Sequence, residues 1–423
     1  MISTKGRVGM GDEKTRIAVL SSEFPPKWGG VGNGVFFLVG SLADEFHYQM
    51  DVVTRDMGPS MREARPPLPK GIDVHEVPFT KLPMYFATSF GKNAVEWMIR
   101  GGLVWDLCHV HSNMTLLPER AYHAIKERMP IVSTMHGTWM GERSEMEMGD
   151  VSMSIQGVND LAVMYVSSRF DRYEDYALEL SDVIVAESKR EEEALKARAS
   201  KETAKRMVRI PPGVDTERFS PKWKDPGLKK RLGIKKGELH LLHVGRLAGR
   251  KGLDTLIEAY DRIVTEMKDV KLVVVGKGPR EKMLRKEAKD RGFEDRLVMV
   301  GSVPMDELTA HFATADITLF PSKWEGFGLI TLETMASGTP CVATRVGAAD
   351  EIIEDGSSGF LVDVGDAEAM AEAVARFARD DEAIAHMGER ARERVKSTFT
   401  WKHTAERYDV LFKRLLEEGK RGI

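Results

Sequence analysis

The stretch Ile317-Thr318-Leu319-Phe320-Pro321-Ser322-Lys323-Trp324-Glu325-Gly326-Phe327-Gly328-Leu329-Ile330-Thr331-Leu332-Glu333 reads as a strand, a loop and a helix. Three apolar residues and one β-branched threonine, 317–320, suit a strand buried on both faces, as in a parallel sheet. Glu325 lies in the loop, and Gly326 and Gly328 open the helix with their N–H groups facing the strand's carboxyl end. Glu333 falls in the second turn, roughly 7–8 Å along the axis from Gly328 at about 1.5 Å per residue.

The same alternation runs through the chain. In the second half, strands are predicted at 239–244, 272–275, 297–300, 317–320 and 341–344, each followed by a helix. In the first half they are predicted at 17–20, 51–54, 107–110, 130–134 and 182–186, with helical patterns such as 119–128 and 189–199 between them. Such alternation means βαβ units, and here an α/β chain with two doubly wound parallel sheets. The pattern breaks at Ile210-Pro211-Pro212-Gly213-Val214-Asp215 and a Pro-rich, charged run follows to Gly227, which reads as a domain connection with a hinge near Pro211 to Pro226. The expected division is 1–220, 221–400, and a terminal helical segment 401–423 that packs back on the first domain, with Tyr408, Leu411 and Leu415 at helical spacing. Two such sheets leave a cleft between the carboxyl ends of their strands, where ligands bind.

Length and composition narrow the class. A chain of 423 residues with 42% hydrophobic and 30% charged residues suits two large globular domains. Sixty-two basic against 65 acidic residues give a net charge of −3, with no footprint for nucleic acid or an anionic membrane. The two cysteines, Cys108 and Cys341, exclude a disulfide framework and a thiolate zinc site and fit a reducing compartment. Residues 1–14 lack the apolar core of a signal peptide, and the apolar run 97–107 is interrupted by Arg100 and Asp106. The expectation is a cytoplasmic, soluble protein without an integral membrane segment, peripheral membrane contact being left open.

Motifs for other chemistries are missing. There is no Walker A sequence, no G-x-G-x-x-G in register, no G-x-S-x-G elbow, no H-E-x-x-H and no Asp-x-Asp pair. What remains is a set of strand-end loops suited to phosphates. Pro25-Pro26-Lys27-Trp28-Gly29-Gly30-Val31-Gly32 precedes a helix, so amides and the helix dipole could meet an anion there, although a mere tight turn explains it equally. Gly245-Arg246-Leu247-Ala248-Gly249-Arg250-Lys251-Gly252 places cations at a strand end; they either decorate a wet face or bind a diphosphate, Arg as a fork and Lys as a point charge. In the opening stretch, a diol accepted by Glu333, a phosphate on the amide row and a sugar hydroxyl near Glu325 fit the spacing. A capping Glu325 and a solvated Glu333 would explain each residue singly, but not Gly-Phe-Gly beside an apolar strand. His109 and His111 share a face of one strand, but two ligands are too few for a metal site.

On Glu325 to Glu333, a Glu-x7-Glu arrangement, the chain resembles the retaining, glycogen-synthase-like glycosyltransferases of GT-B fold, a group that includes sucrose-phosphate synthase and bacterial mannosyltransferases. Gly245-Arg246 with Lys251-Gly252, Gly276-Lys277-Gly278-Pro279, Gly301-Ser302-Val303-Pro304, Pro212-Gly213-Val214-Asp215, the glycine loop and Met135-His136-Gly137 carry the resemblance across nearly the whole chain. It implies transfer of a sugar from a nucleoside diphosphate sugar, of UDP or GDP type, to a sugar, glycan or lipid-linked acceptor, with retention, no metal and no further cofactor. It also implies roles. Arg246 and Lys251 would neutralise the diphosphate with the N–H groups of Gly29, Gly30, Leu329 and Ile330. Glu325, Gly326, Phe327, Gly328 and His136 would hold the donor sugar, with His136, Glu325, Arg246 and Lys251 as the catalytic set. Glu333 would take the ribose hydroxyls, and Val303 with Gly276 would border the base. The chain departs from the family at Asn33-Gly34, where a His or other polar group often follows the glycine loop. The charged, Met-rich run Met135 to Met148, with Glu142, Arg143 and Glu145, reads as a candidate acceptor-binding element or a solvated loop. A nucleotide-sugar epimerase, a phosphorylase of the same fold and a silent nucleotide-sugar-binding module are the alternative readings.

Overall fold

The computed structural model describes residues 14–26, 29–82, 85–112, 115–137, 165, 167–377 and 381–421. The first lobe is built on seven strands, β1 (Arg16–Leu20), β2 (Gln49–Arg55), β3 (Ile72–Val77), β4 (Leu107–His111), β5 (Ile131–Met135), β6 (Val183–Ala186) and β7 (Met207–Arg209). The second is built on six, β8 (Leu239–Val244), β9 (Val270–Val275), β10 (Leu297–Gly301), β11 (Ile317–Phe320), β12 (Cys341–Thr344) and β13 (Phe360–Val362). The spatial orders are β3-β2-β1-β4-β5-β6-β7 and β10-β9-β8-β11-β12-β13. All pairings are parallel.

β1, β4, β8 and β11 are central, and their apolar runs are buried throughout or nearly so, because helices cover both faces of each sheet. The three strands not expected from sequence, β3, β7 and β13, all lie at sheet edges. An edge strand is covered on fewer sides and needs no unbroken apolar run: β3 alternates Ile72, Val74 and Val77 with Asp73, His75 and Glu76, while β7 and β13 are three residues each.

In both sheets the strand order reverses between neighbours that leave in opposite directions, β1 beside β4 and β8 beside β11. A crevice opens at the carboxyl ends of such a pair. The four loops that leave these strands carry most of the residues singled out above.

The chain crosses between lobes twice, and the crossings are bound together. Val214 N–H donates to the Phe399 carbonyl at 2.8 Å, and the Thr404 hydroxyl donates to the Pro211 carbonyl at 3.0 Å. The Cβ of any residue but glycine at 213 would fall 2.3 Å from the Trp401 nitrogen. The terminal helix, Trp401–Arg421, then lies against the first-lobe helix Gly30–Phe46. It places Trp401, Ala405, Tyr408, Leu411, Phe412 and Leu415 in the core formed by Ile17, Val19, Val35 and Leu38. Full burial of a large apolar side chain contributes roughly 1.5–3 kcal/mol, so the last helix is part of the first lobe's stability.

Candidate active site

On the first-lobe wall, β1 runs into the loop that ends at Gly29, the N-cap of helix Gly30–Phe46. No acidic residue occupies the first turn of that helix. A Cβ on Gly30 would meet nothing within 4 Å, so this helix end is open, whereas one on Gly29 would fall 2.5 Å from Oε2 of Glu23. Lys27 and Trp28 lie outside the described residues, as do residues 138–148 of the candidate acceptor element.

His136 follows β5, and its ring is held on both sides. Nδ1 lies 3.0 Å from Oε1 of Glu187, and Nε2 lies 2.9 Å from Nδ1 of His111. The two imidazoles stack with centroids 5.1 Å apart. Burial, with His109 and His136 nearby, pushes His111 well below the ordinary imidazole range and keeps it neutral. What His136 turns to the second lobe is its backbone: its carbonyl oxygen is 4.0 Å from where a Gly326 Cβ would stand. Both ring nitrogens thus have partners within the first lobe, and it is the backbone of His136 that lies toward Gly326.

Behind His136 lies a carboxylate that sequence reasoning missed. Oε1 of Glu191 accepts from Gly137 N–H at 2.6 Å and Oε2 accepts from Glu187 N–H at 2.7 Å. Burial, then the Glu187 charge, raises the Glu191 pKa to about 8. Ser188, the N-cap of helix Lys189–Arg198, accepts from Glu191 N–H at 3.1 Å. The Ser-x-x-Glu spacing of a capping box was the available signal. Glu187 had none, because its partner stands fifty-odd residues away in sequence.

On the second-lobe wall, the loops leaving β8 and β11 touch through glycine. Gly252 has φ +63°, and a Cβ there would fall 1.8 Å from the Pro321 carbonyl oxygen. This contact brings Lys251 onto Glu325: Nζ donates to Oε1 at 2.5 Å, and the Ser322 hydroxyl donates to the same oxygen at 2.7 Å. Burial alone would raise the Glu325 pKa, but Lys251, Arg250 and the two hydrogen bonds outweigh it and hold Glu325 below its usual range. The Arg250 guanidinium lies over the Trp324 ring at 5.7 Å. Trp324 reaches across to the first lobe, where a Cβ on Gly137 would stand 3.3 Å from its ring. Arg246 leaves β8 half-buried and already engaged with other groups.

The helix after this loop begins at Leu329, with Gly328 as N-cap at φ +100°; Gly326 lies outside it, a small correction to the expected start. Leu329 and Ile330 supply the first-turn N–H groups that have no place in the helical ladder. The Phe327 ring is buried in the lobe's core, and its carbonyl accepts from Ala348 N–H at 3.0 Å. Only its N–H remains for a ligand.

Glu333 sits one turn deeper, mostly buried with an edge open to the crevice. Its carboxylate makes no hydrogen bond or ion pair with the described residues. Burial raises its pKa to about 7, with Arg218 opposing the shift. Gly276 closes β9 with φ +136°, where a Cβ would stand 1.9 Å from the Gly245 carbonyl oxygen, and Val303 follows β10 half-buried. Of the expected set, Lys251 meets Glu325 and Gly326 approaches the His136 carbonyl, while Gly29 and Gly30 stand beyond β1, Arg246 beyond β8, and Gly276 and Val303 beyond β9 and β10. Among the described residues, no group of three His, Cys, Asp or Glu could hold a metal ion; His109 Nε2 meets Thr134 and His111 Nδ1 meets His136, and the other ring nitrogen of each is buried without a partner.

Two family models match the chain: Glycosyltransferase Family 4 over residues 28–218 and Glycosyl transferases group 1 over residues 225–394. N-acetyl-alpha-D-glucosaminyl L-malate synthase of Bacillus anthracis is 30% identical over 323 residues, which cover 75% of this chain and 77% of that protein. GDP-mannose-dependent alpha-(1-6)-phosphatidylinositol monomannoside mannosyltransferase of Mycobacterium tuberculosis (strain ATCC 25618 / H37Rv) is 37% identical over 204 residues, 45% of this chain and 52% of that protein. Sucrose-phosphate synthase from Thermosynechococcus elongatus shares the fold, with a TM-score of 0.76 and 23% identity over 96% of this chain and 100% of that one. The two lobes and the crevice between their switch points define a glycosyltransferase of the GT-B kind. The chain belongs to glycosyltransferase family 4, with a second lobe of the group 1 type. No helix of the described residues is long and apolar enough to cross a membrane.

Proposed function

We propose that the chain moves a sugar from a nucleoside diphosphate sugar to an acceptor hydroxyl, with retention of configuration and without a metal. The carrying observation is the meeting of Lys251 and Glu325 just ahead of the helix N-terminus at Gly328, about one turn from Glu333, while the first lobe supplies a second open helix N-terminus at Gly30. The names of the two relatives agree with such a donor, since one is GDP-mannose-dependent and the other is a glucosaminyl transferase to L-malate.

In this reading the bond from the anomeric carbon to the diphosphate oxygen breaks as the acceptor oxygen attacks from the same face, and the acceptor's proton passes to the departing phosphate. The cost lies in charge gathering on the diphosphate. Arg246, Lys251 and the amides of Gly29, Gly30, Leu329 and Ile330 stabilise it without reorganising, which is electrostatic preorganisation. Lys251 is held by Glu325 in the free protein. A diphosphate would share that cation, and Glu325 with the Gly326–Gly328 amides would take the sugar hydroxyls. The His136 carbonyl borders the same space, Glu333 accepts the ribose hydroxyls, and Val303 with Gly276 borders the base.

The test is a thermal-shift and calorimetric screen of UDP-, GDP- and ADP-sugars with excess chelator present. One donor should raise the melting temperature, by about 2.7 kcal/mol of stabilisation at a hundredfold excess over Kd. Lys251→Ala and Glu333→Ala should each weaken that donor while the far-UV circular dichroism stays unchanged. Unaltered affinity in both variants, or donor binding that demands a divalent ion, contradicts the proposal.

A further inference from the structure

Arg55 ends β2 at the crevice side of the first lobe and is 5% exposed. Its Nε donates to the Ser22 carbonyl, and its guanidinium lies 5.2 Å from the Phe79 ring centroid and 4.8 Å from that of Phe86. Among the described residues its two terminal nitrogens have no acceptor, and no carboxylate comes within ion-pair distance. Three part-buried arginines differ, although Nη1 of Arg407 is likewise without a partner. Arg198 meets Glu174, Arg65 meets Glu76, and Arg392 donates to the carbonyls of Phe219, Ala336 and Thr216. A cation taken out of water without a counter-ion is costly, and rings and a single carbonyl replace its hydration only in part. Glu23 acts on it through space without pairing. Ser22, Thr54, Arg55, Met57, Arg65 and Glu76 are among the residues that line a small depression at these strand ends, where the Glu76 carboxylate is already paired with Arg65.

The position says what the counter-ion belongs to. Ser22, which Arg55 holds, begins the loop that ends at Gly29, so Arg55 stands one strand beyond the wall assigned to the diphosphate, inside the lobe left for the acceptor. We propose that Arg55 reads an oxyanion, a phosphate or carboxylate, carried by the acceptor beside its reacting hydroxyl, with Phe79 and Phe86 flanking the acceptor's apolar face. A guanidinium suits this because its planar fork can give two parallel N–H bonds to one oxyanion. The proposal rests on the transferase reading for its account of which substrate enters the first lobe.

The experiment is calorimetry on the full chain saturated with whichever of UDP or GDP binds, titrated with myo-inositol 1-phosphate, L-malate and uncharged myo-inositol. A parallel arm measures flotation with phosphatidylinositol or phosphatidylcholine vesicles. Wild type should bind at least one soluble oxyanion, or the phosphatidylinositol vesicles alone, and should ignore uncharged myo-inositol and the zwitterionic, net-neutral phosphatidylcholine; binding to none of the anionic probes overturns the assignment. The first result assigns a free acceptor and the second a lipid headgroup. Arg55→Met should weaken the oxyanion about tenfold or more, the scale of a lost charge-assisted hydrogen bond. Arg55→Lys should recover only part, and Glu23→Gln should tighten binding by removing a competing negative charge, a change that a merely structural Arg55 would not produce. Nucleotide affinity should stay constant throughout. Equal oxyanion affinity in wild type and the Arg55 variants, indifference to charge, or a rise in nucleotide Kd instead overturns the assignment. If Arg55→Met does not fold, unchanged affinities in Arg55→Lys and Glu23→Gln do the same. Failure of both UDP and GDP to bind wild type would reject the transferase reading by itself.

Discussion

Glu333 carries a proton that its neighbours make useful. With a pKa near 7 it changes charge across the physiological range, whereas an unfolded chain holds the same group near 4.5. Between those values the folded state binds more protons than the unfolded one, so stability falls as pH rises from about 5 to 7. If Glu333 takes the ribose diol, the ionised form is the better acceptor. Nucleotide affinity should then rise as pH goes from 6 to 8 while the free protein loses stability; Glu333→Gln should flatten the nucleotide profile and make the stability profile shallower, with the remaining fall belonging to Glu191. Calorimetry with UDP or GDP and urea unfolding at pH 5, 6, 7 and 8 measure the two trends; a nucleotide profile that falls with pH excludes the ribose role.

Among elements, the decisive meeting is between two loops from neighbouring strands. Lys251 and Glu325 have side chains only 12% and 15% exposed, and Gly252 brings their loops into backbone contact. Removing one partner leaves a largely buried charge; removing both leaves none. Lys251→Met should cost about 1–3 kcal/mol, a moderated figure because Ser322 still serves Glu325 and the carboxyl can take a proton. The Lys251→Met, Glu325→Gln double variant should be destabilised by less than the sum of the two singles. Urea midpoints decide it, and strict additivity would mean that the two side chains do not act as a pair.

At the level of elements the sequence spoke clearly in some places and not in others. The central strands and the glycine-rich loops were legible because burial on both faces demands a run of apolar residues, and a backbone with positive φ demands glycine. The edge strands β3, β7 and β13 escaped, since a short or half-covered strand leaves no such run. Which atoms of His136 and Phe327 are left for a ligand was not legible for another reason. A motif gives which residues stand near a ligand, but not which of their atoms are already bonded to the protein.

The whole molecule adds a clasp between the lobes. The first N–H of helix Lys189–Arg198 donates to Oε1 of Glu351 at 2.6 Å, Arg209 lies 3.5 Å from the other oxygen, and Arg190 lies 3.4 Å from Asp350. Glu351 is on the short helix Ala349–Ile352, directly beyond the Gly347 turn that packs on Phe327 and Glu325, while Lys189 follows the turn that holds His136. The clasp therefore aligns the two walls. In the Glu351→Gln, Asp350→Asn double variant, donor KM should rise severalfold and the radius of gyration from small-angle scattering should increase. Wild type in about 1 M salt, where the screening length is about 3 Å, should drift the same way. An identical scattering curve for variant and wild type would show that other contacts hold the lobes together.

The sequence by itself determined the two doubly wound sheets and their central strands. Each of these follows from local periodicity. Only the tertiary structure decided that Lys251 rests on Glu325, that Glu187 and His111 occupy the His136 ring, and that Tyr408 bonds Thr134 across 274 residues of chain. It also left Arg55 without a counter-ion. These are meetings of side chains from distant segments, and their partners are fixed by packing rather than by the spacing of residues along the chain.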